Sequence, residues 1–316
     1  MSNMALRPRR VGEILDASIK LYIRNARTLI GAAAVAVIPL QLLSGLVLLS
    51  VYDRGDEIPT GYSNVFKAVP AADASARAGA SAISTLVSIL TVAFVSAACV
   101  HAVSSAYLDH PLSIGESLRF GARRLLPLLG MLIVLYIGLG IAFVLLIIPG
   151  IWLYATWGVA APALLIEHLG PLSALARSSR LVRGRWWATA GVLLVAFLMT
   201  TIGASIVSGI LTAIALTSNP SIGFAVLISV LSAIVSGLIV QPFQATVVTV
   251  LYYDLRVRRE GYDLHVLAEQ LGLPESSLGA VVGTDGGFAQ PPGPEMVGRP
   301  GGPPYWPPPP GWSPDN

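Results

Sequence analysis

The side chains able to do chemistry in this chain are few and scattered. Four histidines, His101, His110, His168 and His265, fall in four separate segments. Hydrolysis or proton transfer calls for carboxylates, imidazoles or a metal held together. An enzyme built on this chain would have to bring at least two of Asp109, His110, Glu167 and His168 within hydrogen-bond reach. Glu167-His168 closes a long apolar run, where a carboxylate can reach water, and reads as a boundary rather than an acid–base couple. His101 sits about two helical turns inside another apolar run, as a functional group or as a hydrogen-bonding contact between helices. Gln41, Gln241 and Gln244 are the polar groups set deepest among apolar residues, close to Pro39 and Pro242. They suit either a groove between kinked helices or a polar seam that holds helices together. Cys99 is the single cysteine, so neither an intramolecular disulfide nor a thiolate metal site can form. No catalytic site, metal or cofactor is expected.

The elements that position these groups are long runs without charge. Between Arg124 and Glu167 the chain has none, and Pro149-Gly150 is the strong break near the middle. About twenty apolar residues cross a bilayer core as a helix, so this run holds two crossings joined by a tight turn. The whole chain is 54% hydrophobic and 12% charged, against about 25% charged in soluble domains. Further crossings are expected at about 29–51, 81–107, 188–216 and 222–253. The first apolar run is too long and too far along the chain for a signal peptide.

Before each pair of crossings the pattern becomes amphipathic. At 11–27, Val11, Ile14, Leu15, Ser18 and Tyr22 recur on one face and Glu13, Asp16, Lys20 and Arg24 on another. At 113–124, Ser113 and Glu116 form a capping box ahead of Arg119, Arg123 and Arg124. At 171–186, Pro171 can start a helix that carries Arg177, Arg180, Arg183 and Arg185 to Trp186-Trp187. The expected fold is therefore all-α: a polytopic bundle of six transmembrane helices over 11–253, with an interfacial helix before each two-helix hairpin. Residues 1–10 are expected to be a disordered basic start, 254–272 a juxtamembrane segment with a short helix, and 273–316 a disordered Pro/Gly-rich tail.

Lysine and arginine set the orientation. Seventeen fall in the N-terminal segment, the two connections near 119–124 and 177–185, and the C-terminal segment; three, Arg54, Lys67 and Arg77, fall in the loop of the first hairpin. That asymmetry places both termini in the cytoplasm. Arg123, Arg124, Arg180, Arg183, Arg185, Arg256, Arg258 and Arg259 are then candidate contacts for anionic lipid headgroups. The spans hold no carboxylate or arginine, which argues against a proton-coupled pump. The basic residues are taken up by the membrane face, so no nucleic acid is expected as a partner. The Pro-rich tail offers a protein partner with an aromatic groove something to bind.

Three stretches carry a family likeness: RPRRVGEILDASIKLYIRN (7–25), ALARSSRLVRGRWW (174–187) and LYYDLRVRREGYDLHVLAEQLG (251–272). Over about 5–272 the chain resembles the bacterial family of the glycerophosphoryl diester phosphodiesterase membrane domain. The tail resembles those of high-GC Gram-positive proteins. The resemblance implies a six-helix protein of the bacterial plasma membrane. It does not bring hydrolysis with it, since the catalytic barrel fused to such domains has no counterpart here. The expected function is a non-enzymatic scaffold or accessory component linked to membrane lipid or cell-envelope processes. The alternative is a transporter or lipid-handling protein with a groove between kinked helices.

Overall fold

A backbone in hydrocarbon must satisfy its own polar groups, and this chain does so with helices. The computed structural model describes residues 10–51, 71–107, 114–216 and 222–260, and among them are nine α-helices and no strand. They are α1 (Val11–Arg24), α2 (Ala26–Val51), α3 (Ala71–Tyr107), α4 (Ile114–Leu145), α5 (Ile147–Trp157), α6 (Ala160–Ile166), α7 (Pro171–Val182), α8 (Trp186–Leu216) and α9 (Ile222–Glu260). Six spans are long and apolar enough to cross a membrane: α2, α3, α4, α5 with α6, α8 and α9. The protein is an all-α polytopic bundle. Its outward faces are apolar, with Leu46, Ile141, Ile206 and Leu227 all exposed, as suits a surface whose solvent is lipid. The first-hairpin loop is expected at 52–79, but α3 already begins at Ala71, so residues 71–79, Arg77 among them, are helical. Residues 52–70, the N-terminal nine residues, His110, the Asn219-Pro220 turn, the short helix near His265 and the Pro-rich tail lie outside the described residues.

The two short amphipathic helices pack by one face. In α1, Ile14, Ala17, Ser18 and Leu21 are buried, while Glu13 accepts the Arg10 amide at 3.0 Å and Lys20 pairs with Asp16 at 2.8 Å on the exposed side. Asn25 ends α1, its side chain donating to the Leu21 carbonyl at 3.0 Å, and α2 begins at the next residue. In α7, Gly170 precedes Pro171, whose missing N–H costs nothing at a first helical position. Ala174, Leu175, Ser178 and Leu181 are its buried face. Gly184, with φ of 86°, turns the chain from α7 into α8 in a conformation that glycine adopts without strain.

Three further helix boundaries differ from the sequence expectations. Residues 113–124 were expected as a separate interfacial helix, but from Ile114 the chain runs without a break into the third span, and Pro127 is absorbed inside α4. Residues 254–260 likewise continue α9 instead of opening a juxtamembrane segment. The turn between the third and fourth spans lies at Leu146, in extended conformation (φ −161°, ψ 145°), rather than at Pro149-Gly150. Pro149 belongs to the first turn of α5, where proline is tolerated because its N–H would go unpaired anyway. Gly150 serves packing: a Cβ there would lie 2.5 Å from the Phe143 ring, so glycine lets α5 close on α4.

One break was not foreseen. The fourth span stops at Trp157 and restarts at Ala160. Pro162 is the cause, because it has no N–H for the Gly158 carbonyl and its ring crowds that carbonyl. The resulting α6 buries Ala160, Pro162, Ala163, Leu164 and Leu165 against α3, α4 and α7. Small residues on α3, Ala93 and Ala97 among them, let these helices approach closely around Leu128 and Met131.

Candidate functional site

α6 ends in a Schellman turn, and that turn builds the site. The Leu169 amide donates to the Leu164 carbonyl at 3.2 Å across Glu167 and His168. Such a turn needs one residue in the left-handed region, usually glycine. Here His168 takes it, with φ of 55°, at a cost of about 1–2 kcal/mol for a side chain in that conformation. Gly170, the nearest glycine, precedes α7 with φ of −76° and does not relieve the strain.

The strained residue faces a cleft of about 220 Å³ at the end of the bundle where α3 and α6 finish and α4 begins. Its walls are Val100, His101 and Ser104 of α3, Phe120 of α4, Leu165 and Ile166 of α6, and His168. The Phe120 ring lies 4.6 Å from the His101 ring at 32° and 6.2 Å from the His168 ring at 48°. His101 Nδ1 is 3.3 Å from the Ser117 hydroxyl. When Ser117 donates, the ring proton resides on Nε2, which is then a donor for a ligand. The Ser104 hydroxyl shares a hydrogen bond with the Tyr253 phenol of α9.

Beside the cleft, Glu167 is held from two sides. Arg177 Nε lies 2.9 and 2.8 Å from the two carboxylate oxygens, and the Tyr252 phenol donates to Oε1 at 2.6 Å. The side chains of Arg177 and Glu167 are each 18% exposed, and Tyr252 is fully buried. The Ser178 hydroxyl adds a 2.8 Å bond to the Thr156 carbonyl. The end of the fourth span is thus pinned to α7 and α9. Glu167 works here as a strut between helices, more than the boundary marker its sequence position suggests.

The glutamines lie elsewhere. A Cβ at Gly45 would run into the Val230 side chain, and one at Gly237 would lie 3.1 Å from Val37. These two contacts set α2 and α9 antiparallel, with Val37 level with Gly237 and Gly45 with Val230. Gln41 and Gln241 then stand about two turns, roughly 12 Å, apart along the pair. They do not converge on one groove, and neither lines the cleft at His101. All three glutamines are half-buried, and the Oε1 atom of Gln241 is buried without a hydrogen-bond partner.

Of the candidate lipid contacts, Arg123, Arg180, Arg183 and Arg259 are exposed, and Arg124, Arg185 and Arg258 are half-buried. Arg185 lines a water-sized cavity of about 10 Å³ with Val11, Ile14, Thr189 and Asp254. From Arg256 the chain belongs to a second unit, in which Arg256 pairs with Glu260 at 3.1 Å. Among the described residues, no three of His, Cys, Asp and Glu gather as metal ligands.

Residues 118–255 match a family described as a domain of unknown function (DUF7847). The matched stretch includes Phe120, Glu167, His168, Arg177 and Tyr252; His101 lies before it. No curated protein and no solved structure matches the chain.

Proposed function

We propose that this multi-pass membrane protein is a non-enzymatic accessory or scaffold component, linked to membrane lipid or cell-envelope processes. Its setting is the bacterial plasma membrane, with both termini in the cytoplasm. The observation that carries this reading is the use made of Glu167. Both carboxylate oxygens are engaged by Arg177, and one also by Tyr252, so the acid is committed to joining three helices. The resemblance over about 5–272 to the membrane domain found beside glycerophosphoryl diester phosphodiesterases agrees with a lipid-linked role. So does α7, which buries one face and exposes Arg180 and Arg183 at the foot of a span, where each cation attracts anionic headgroups.

A lipid-handling role is the second reading, and what favours it is the cleft between His101 and His168 rather than the kinked helices at Pro39 and Pro242. Purification in mild detergent, with identification of co-purifying lipids and proteins, tests both. Anionic phospholipid is expected to co-purify with the wild type and to fall roughly tenfold in the double variant Arg180→Gln/Arg183→Gln. A lipid profile no different from that of the bulk membrane, unchanged in the variant and with no stable protein partner, would contradict the proposal.

A further inference from the structure

His168 occupies a position where glycine would be free of strain, and its imidazole forms a wall of the cleft. Side chains kept in such conformations cluster at ligand sites, where the surrounding structure holds them in place. The same cleft is lined by a second imidazole, His101, and both rings neighbour Phe120. We propose that this cleft binds the phosphate group of a membrane lipid, with His101 and His168 as the residues that recognise it. The inference rests on the reading of the chain as a lipid-associated membrane protein and names the site and the chemistry.

Five features converge on that ligand. The cleft lies where α3, α4 and α6 end or begin, the level at which headgroups lie beside a spanning bundle. Its polar wall offers donors: the two imidazoles and the Ser104 hydroxyl, the last also bonded to Tyr253. Val100, Leu165 and Ile166 form an apolar wall for the carbon skeleton that follows a headgroup. At about 220 Å³ the space has room for a phosphate with its glycerol. The same end of α4 carries Arg119, Arg123 and Arg124 within three turns of its start, and their field favours an anion.

The full-length protein, delipidated in mild detergent, is titrated with phosphatidylglycerol or with diacylglycerol of the same acyl chains. Binding is read by native mass spectrometry. Wild type is expected to prefer phosphatidylglycerol by at least tenfold. His168→Asn, which tolerates the left-handed backbone, and His101→Gln should each lose at least tenfold in that binding, as expected when a hydrogen bond to a charged group is removed. The melting midpoint of His168→Gly should hold or rise while its phosphatidylglycerol binding falls, separating the ligand role from a packing role. Displacement by millimolar inorganic phosphate would assign the same histidines to a soluble phosphate, and resistance to it assigns them to the lipid. Equal binding of the two lipids, or unchanged phosphatidylglycerol binding in both His168 variants, would overturn the proposal. If the His168 variants bind normally while Arg180→Gln/Arg183→Gln does not, the cleft assignment fails and the lipid-linked reading stands. If wild type shows no preference for the phospholipid, both fail.

Discussion

Glu167→Gln is expected to lower the apparent melting midpoint of the purified protein by roughly 5–10 °C. The substitution keeps the shape of the side chain and removes its charge, so the Arg177 guanidinium loses the carboxylate that both its 2.8 and 2.9 Å contacts reach. Removing one partner of a buried ion pair costs about 3–5 kcal/mol. With 18% of each side chain exposed, water recovers part of that, leaving about 2–3 kcal/mol. A protein of this size shifts by about 2–4 °C per kcal/mol. The double variant Glu167→Leu/Arg177→Met should recover at least half of the loss, because it leaves no charge without its partner. Intrinsic tryptophan fluorescence during heating reads all three. A midpoint for Glu167→Gln within 1 °C of wild type would show that the network carries no load.

Gly45→Val should destabilise the bundle to a similar degree by a different route. The new Cβ would occupy the place of a Val230 methyl group. Val230 is β-branched and stiff, so α2 and α9 must move apart. Overpacking of this kind costs about 1–3 kcal/mol. The added methyl groups of valine place the expected loss at the upper end of that range. Val230→Ala in the same chain should restore most of the midpoint, and Val230→Ala alone should cost less than Gly45→Val. The cycle tests the antiparallel register of α2 and α9, which separates Gln41 from Gln241. Additive losses, with no rescue, would mean that the two residues do not touch.

The spans were legible in the sequence because each is written many times over: dozens of apolar residues specify one helix, and a single exception does not erase it. Helix type was therefore secure while boundaries shifted. Pro149 looked like a turn and proved to be a first-turn proline, since a local rule for proline cannot say which end of a break it occupies. Pro162 broke the fourth span through the carbonyl of Gly158, four residues earlier, and a run of apolar residues masks that effect. Arg119, Arg123 and Arg124 suit a separate amphipathic helix, yet α4 runs on through Pro127 without a break.

The candidate site was harder to read because its parts come from distant segments. His101 carried the right signal, an imidazole in an apolar run, but its neighbours Phe120 and His168 come from two other places. Glu167 and Arg177 are ten residues apart, a spacing that no single helix pairs; they meet because α7 folds back beneath α6. Tyr252 reaches the same carboxylate from α9. The sequence does carry one signal: Glu167-His168-Leu169-Gly170 ends a helix with its glycine two residues beyond His168, which leaves histidine at the left-handed position.

The account depends on the arginine-bearing end of the bundle, with both chain termini, lying on the cytoplasmic side. Cys99 is fully buried, so Cys99→Ala gives a background suited to thiol labelling. Single cysteines at Val65, in the connection of the first hairpin, and at Gln290, in the C-terminal segment, are then exposed to a membrane-impermeant maleimide in intact cells. Labelling of Val65→Cys in intact cells, and of Gln290→Cys only after lysis, is the predicted result. Labelling of both from the same side would contradict the six-span topology with both termini in the cytoplasm.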